Sequence, residues 1–280
     1  MFARITIALA IIAAFLSVAP SWATPESDVE KYSRQMLEHP EWNAVNYMLR
    51  GKAYYDLKQY DKALEDFDRA VRLSPPSKTI VAIYSLRGDV YHELHQEERA
   101  IRDYTSAIEL NPNKFYFYEK RGIAYCSLKQ FQNAIADFSA AIKVEPTARG
   151  FVLRARTFSG LGEDQNAIDD FSQAIHLDPS AEPYLLRADH FRKTKQYQLA
   201  IKDCTRAISI DPKFARAFAE RGINLHLSGS PEGALGDLTH AISLDPKPIY
   251  YDLRDGIYKS LADTYSRNRS FQIGQAVDLR

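Results

Sequence analysis

One frame recurs six times along this chain: a small residue, followed at +12 by Ala, at +19 by Ala and at +24 by Pro. The copies begin at Gly51, Gly88, Gly122, Ala155, Ala188 and Gly222 and close at Pro75, Pro112, Pro146, Pro179, Pro212 and Pro246. Self-similarity at a period of about 34 residues marks a stacked-helix array. Such an array has one core that grows by adding units, so the expectation of about two domains from length alone gives way to it.

The first copy shows why the frame folds. Tyr47, Gly51, Tyr54 and Leu57 recur at three- and four-residue steps, the period of a helix. Lys58 to Asp61 is a polar turn, and Lys62 to Leu73 has the same helical period again. Pro75 ends that second helix because it lacks an N–H and disfavours helix in the residue before it. Gly51 is expected to face Ala63 and Ala70 where the two helices come closest, with Tyr54 and Phe67 filling the space around that contact. Every copy spans 24 residues from small residue to Pro, so all length variation lies in the joints. The first joint, Pro76 to Ile80, carries about three extra residues, which predicts either altered stacking of copy two or an extended helix start.

These residues resemble the tetratricopeptide repeat: Tyr47, Gly51, Tyr54, Ala63, Phe67, Ala70 and Pro75 in copy one, and Tyr118, Gly122, Tyr125, Ala134, Phe138, Ala141 and Pro146 in copy three. The later copies drift, to Cys204 in the aromatic slot of copy five and to Leu225 and Leu238 in copy six. The resemblance implies an all-α fold, a right-handed α-solenoid of stacked antiparallel helix pairs. Six repeats are expected at 44–77, 81–114, 115–147, 148–180, 181–214 and 215–248.

One regularity departs from the usual pattern. The slot before the small residue is Arg in every copy: Arg50, Arg87, Arg121, Arg154, Arg187 and Arg221. Sixteen residues after each stands an Asp: Asp66, Asp103, Asp137, Asp170, Asp203 and Asp237. Periodic charges near core positions predict a structural ion-pair ladder that keeps the register between repeats. Each Asp has two candidate partners, the Arg of its own copy or that of the next. The second choice gives Asp237 a partner in Arg254, which continues the row.

The ends differ from the array. Met1 to Arg4 is a short basic start, Ile5 to Val18 is apolar and uncharged, and Ala23 closes a small-x-small pattern. Residues 1–23 therefore read as a signal peptide cleaved near Ala23, which makes the chain an exported protein, periplasmic or secreted. No insertion into the membrane is expected after cleavage. Residues 24–43 form an N-terminal cap in which Glu30 to Leu37 has room for one or two helical turns. Residues 249–266 have the spacing of a C-terminal capping helix, and 267–280 read as a loose polar tail.

Chemistry is hard to find. The seven His form no metal-binding motif, and the two Cys no C-x-x-C pair. The Gly160–Gly162 stretch lacks the Lys-Ser/Thr of a phosphate loop. The net charge of +0 offers no basic excess for nucleic acid. No cofactor, no metal and no catalytic residue is expected, and the chain reads as a non-enzyme.

The resemblance places partner binding on the inward faces of the first helices. The candidate groove residues are Lys52, Tyr55, Asp56, Asp89, His92, Glu93, Glu119 and Ile123, then Arg156, Asp189, Arg192, Lys193, Ile223 and His226. Acids dominate the first set and basic residues the second, which would orient an extended peptide by charge. An Asn that some members use to clamp a partner's C-terminal carboxylate is missing: Lys52, Asp89, Ile123, Arg156, Asp189 and Ile223 stand in that slot. The expected role is a protein-interaction adaptor of the cell envelope or exterior, with a protein or peptide partner. The alternatives are an accessory subunit positioning an envelope enzyme or secretion complex, and an enzyme with an unrecognised site.

Overall fold

A computed structural model describes residues 24–39, 43–73, 75 and 77–277. The expected leader, residues 1–23, lies outside the described residues. Fourteen α-helices, and no strand, appear among the described residues. The fold is all-α, built of stacked helix pairs as in an α-solenoid.

Contacts divide the chain into two compact units, residues 1–130 and 131–280. The first unit holds α1 (Pro25–Glu38), α2 (Asn43–Asp56), α3 (Tyr60–Arg72), α4 (Ser77–Glu93), α5 (Glu97–Leu110) and α6 (Phe115–Ser127). The second holds α7 (Phe131–Val144), α8 (Ala148–Leu161), α9 (Asp164–Leu177), α10 (Ala181–Lys193), α11 (Tyr197–Ile210), α12 (Ala215–Leu227), α13 (Pro231–Leu244) and α14 (Pro248–Val277). Each helix packs on the next in its unit, and first helices also touch first helices: α2 with α4, and α8, α10, α12 and α14 in series.

The core follows the frame. Ala63, Phe67 and Ala70 are fully buried, as are Ala100 and Ala107, Ala167 and Ala174, Ala200, Cys204 and Ala207, and Ala234, Leu238 and Ala241. The small first-helix residues have a steric cause that differs slightly from expectation. A Cβ added at Gly51 would meet the Phe67 ring at 2.8 Å, and one at Gly88 the Tyr104 ring at 2.6 Å. The aromatic ring, more than the alanines, demands the glycine in these two copies. At Gly222, where Leu238 replaces the ring, the nearest atom is the Ala234 carbonyl oxygen at 3.1 Å.

The turn inside each pair is also repeated. The residue at +7 from the small position is left-handed in all six copies: Lys58, His95, Lys129 and Lys195 at φ 55 to 60, Gly162 at 76 and Gly229 at 88. The next N–H bonds back five residues, Gln59 N to Tyr54 O at 2.8 Å and Gln196 N to Phe191 O at 2.7 Å among them. This reverse bond caps the first helix and starts the second.

The ends depart from the sequence reading. The N-terminal segment is a full helix of 14 residues, capped by Thr24 through the Ser27 N–H, and it packs on α2. The extra residues of the first joint lengthen a helix: α4 has 17 residues and begins at Ser77. The last helix does not stop at 266 but continues to Val277, because no proline interrupts it after Pro248.

Candidate functional site

The Arg and Asp of one copy meet inside that copy. Arg50 Nε and Nη2 donate to the two carboxylate oxygens of Asp66, each at 2.7 Å. The same two-pronged bond joins Arg87 to Asp103, Arg154 to Asp170, Arg187 to Asp203 and Arg221 to Asp237, at 2.7–2.9 Å. These carboxylates are only 3–11% exposed and their guanidinium partners 16–23%. The hydrogen bond each donates to its Asp holds Arg50, Arg187 and Arg221 above the usual arginine range, against the opposing effect of burial. For Arg87 burial is the largest influence and lowers the value, yet Asp103 and Asp68 together outweigh it.

The guanidinium does a second thing. Its Nη1 reaches the preceding second helix, donating to Ser33 at 3.1 Å, Asp68 at 2.7 Å, Thr105 at 2.9 Å, Ser139 at 2.9 Å, Ser172 at 2.8 Å and Thr205 at 3.3 Å. Five of these acceptors stand two residues after an Asp of the row: Asp68, Thr105, Ser139, Ser172 and Thr205 follow Asp66, Asp103, Asp137, Asp170 and Asp203. Aromatic rings flank the planar group, Tyr47 and Tyr54 around Arg50, Phe151 and Phe158 around Arg154, Tyr184 and Phe191 around Arg187. Arg121 takes Thr105 and lies against Tyr125, while Asp137 is buried in the second unit. Arg254 does not take Asp237, whose two oxygens are already held by Arg221; its Nε lies 3.7 Å from Asp255.

Ten of the fourteen candidate groove residues line three cavities. In the first unit Tyr55, Asp89, His92, Glu93 and Ile123 line a space of about 250 Å³ with Tyr104 and Lys120. Asp89 accepts from Tyr104 Oη at 2.8 Å and Lys120 Nζ at 2.7 Å. His92 Nδ1 lies 2.8 Å from Glu97. Burial, then the charges of Asp89 and Glu93, push the Tyr55 hydroxyl up to about 12. Lys52 pairs with Asp56 at 2.7 Å on the exposed side, and Glu119 is buried.

In the second unit Arg156, Asp189 and Lys193 line a cavity of about 370 Å³ with Ser159, His190 and Arg216. Asp189 binds Lys193 at 2.7 Å and also Arg192, and these contacts hold its carboxyl below the usual range against burial. Arg192 Nε approaches Glu220 at 3.7 Å, and burial raises that carboxyl. Ile223 and His226 line a third, mostly apolar cavity of about 330 Å³ with Leu253 and Ile257 of α14. Ser159 Oγ lies 2.9 Å from His190 Nδ1, but Asp164 stands 3.7 Å from the other ring nitrogen. That gap is too long for the hydrogen bond that orients a nucleophilic triad. Among the described residues no three His, Cys, Asp or Glu gather as metal ligands.

With fold and geometry described, the likenesses to known proteins take their place. Family descriptions of the tetratricopeptide repeat match residues 44–76 and 181–214, and one of the TPR repeat matches 88–129. This chain is a tetratricopeptide-repeat protein. Its fold is similar to that of a TPR protein from Parabacteroides merdae, at 21% identity and TM-score 0.59 over 82% of this chain and 91% of the other. It is similar to the C-terminal part of a TPR repeat-containing protein from Cytophaga hutchinsonii, at 20% identity and TM-score 0.64 over 80% and 92%. It is also similar to the MamA protein, at 24% identity and TM-score 0.52 over 61% and 95%. No curated protein matches the sequence.

In this TPR protein the charge asymmetry counted along the sequence is reduced by local pairing. Lys120, which neutralises Asp89, stands two residues before Gly122, outside the inward positions that the family pattern supplies. His190 and Arg216 were likewise missing from the candidate set; only Arg156 and Lys193 at their side signalled a basic cluster. Among the described residues Arg156 has no ion-pair partner.

Proposed function

We propose that this TPR protein is a non-catalytic adaptor that holds a protein or peptide partner on the first-helix faces. One observation carries the reading. The residues repeated in every copy are consumed by the scaffold, the Arg forks above all, whereas the unrepeated residues at +1, +4 and +5 line the cavities of about 250, 370 and 330 Å³. A scaffold whose periodic charges are already bonded leaves selectivity to the positions that vary. The basic start and apolar run of residues 1–18 support export, so the partner belongs to the cell envelope or exterior. Among the described residues no helix is long and apolar enough to cross a membrane.

The test is cross-linked capture from the host's own envelope fraction, comparing the wild-type chain with an Arg156→Glu, Lys193→Glu variant and a Tyr55→Ala variant. A partner retained by wild type and lost from at least one variant of unchanged helicity is the expected result. A partner retained equally by all three, or turnover of a small molecule by the wild-type chain that both variants lose, would overturn the adaptor reading. N-terminal sequencing of the exported chain is expected to begin at Thr24; a chain still starting at Met1 contradicts cleavage.

A further inference from the structure

The first joint does more than lengthen a helix. α4 begins eleven residues before its small residue Gly88, against seven or eight in α2, α6, α8, α10 and α12. The added turn begins at Ser77. Beside it lies a cavity of about 560 Å³, within the roughly 300–1,000 Å³ of small-molecule sites. It is separate from the row at +1, +4 and +5 and shares only Lys52 with it.

Its walls have two characters. Val81, Leu86, Leu110 and Phe117 supply its apolar lining; Leu110 stands 49% exposed at the rim, whereas Val81 and Phe117 are buried. Lys78 and Lys114 supply the charge. Neither lysine has an ion-pair partner among the described residues, and no Asp or Glu lines the cavity. The first turn of α6, which starts without a side-chain cap at Lys114, adds its positive end to the same rim. An apolar floor beneath unneutralised cations complements a ligand with an apolar body and one negative group. A peptide backbone fits less well, because its amides need partners. The remaining polar side chains are Lys52, Ser77, Ser85, Asn111 and Tyr116; Lys52 is bonded to Asp56, and the Ser85 hydroxyl already accepts Lys120 Nζ at 3.1 Å.

We propose that this cavity binds a small apolar carboxylate of the fatty-acid kind, its chain against Val81, Leu86, Leu110 and Phe117 and its carboxylate between Lys78 and Lys114. The site is independent of the adaptor reading. The ligand fills the slot that the longer joint creates.

The probe is sodium octanoate, titrated into the intact ¹⁵N-labelled chain below its micellar concentration. Octanol, acetate and an acetylated Asp-Phe-Asp amide serve as comparisons. The expected result is saturable shifts of the Ala82, Ser85 and Phe117 amides with octanoate. Octanol should bind roughly tenfold more weakly, the scale of a charge-assisted contact, and acetate should leave these amides unmoved. Lys78→Glu combined with Lys114→Glu should weaken octanoate by roughly tenfold or more, without moving the thermal midpoint, because both side chains are exposed. Equal affinity for octanol and octanoate, or octanoate shifts confined to other residues, would overturn the site. Shifts from the peptide with none from octanoate would assign the cavity to a protein partner and overturn it equally.

Discussion

Arg at the slot before the small residue is useful because of its shape. The planar fork meets both oxygens of a carboxylate and still has a donor to spare. Lysine has no such geometry, so Arg154→Lys is expected to lose one prong on Asp170 and the bond to Ser139, with a lower melting temperature than wild type by calorimetry. Titration gives a second residue-scale test. Burial, then the negative charges of Glu220 and Asp203, pushes the Cys204 thiol from an ordinary 9.0 up to about 12. The thiol is neutral when protonated. Above pH 9 the unfolded chain loses this proton while the folded chain keeps it, so stability falls as pH rises from 9 to about 12. Tyr55 acts in the same direction, from 10.0 to about 12. Denaturant midpoints measured across that window should fall less steeply for Cys204→Ala than for wild type, whatever the cavity costs at neutral pH.

At the scale of the helix pair, the turn and the close approach each make a claim. Lys195 holds a left-handed backbone at φ 60 that a glycine adopts without strain. Lys195→Gly should therefore gain about 0.5–1 kcal/mol, and Gly229→Ala should lose about 1 kcal/mol, in urea unfolding. Adding a methyl at Gly88 drives it into Tyr104, whose hydroxyl is tied to Asp89 at 2.8 Å. Gly51→Ala meets the Phe67 ring, which has no such tether, and copy four already packs Ala155 with Phe171 in one buried cluster. Gly88→Ala is expected to cost about 1–3 kcal/mol, and more than Gly51→Ala.

These pairs were legible in the sequence because small, aromatic and proline positions recur at fixed spacing, and each has a local cause. The left-handed turn was hardly legible: Lys and His hold four of its six places, and glycine marks only Gly162 and Gly229. The helical ends were partly legible. Apolar spacing marked α14, but its continuation past 266 depends on the absence of a stop signal. In the site, i,i+4 pairs such as Lys52–Asp56 and Asp189–Lys193 follow from spacing, but pairs that run between helices do not. Lys120 reaches back 31 residues to Asp89, and nothing in either residue's own copy announces it.

At the scale of the molecule, the ladder joins each helix pair to the helix before it within a unit. In the first unit Ser33 of α1 serves Arg50 as Asp68 serves Arg87. In the register of that bond the two alanine places of a second helix fall on Asp28 and Gln35. In α14 of the second unit Asp255 stands in the small slot, and Arg254 Nε lies 3.7 Å from it. Each unit is thus held by side chains that bond within their own pair and to the pair before, while the residues open to a partner lie elsewhere. The central claim is that the Arg fork is a coupled structural unit. A double-mutant cycle of Arg187→Ala and Asp203→Ala, read by urea unfolding, tests it most directly. The account predicts single losses of about 3–5 kcal/mol and a coupling energy of about 1–3 kcal/mol, because either partner alone is left as a buried, unpaired charge. Single losses that simply add, with no coupling between Arg187 and Asp203, would contradict it.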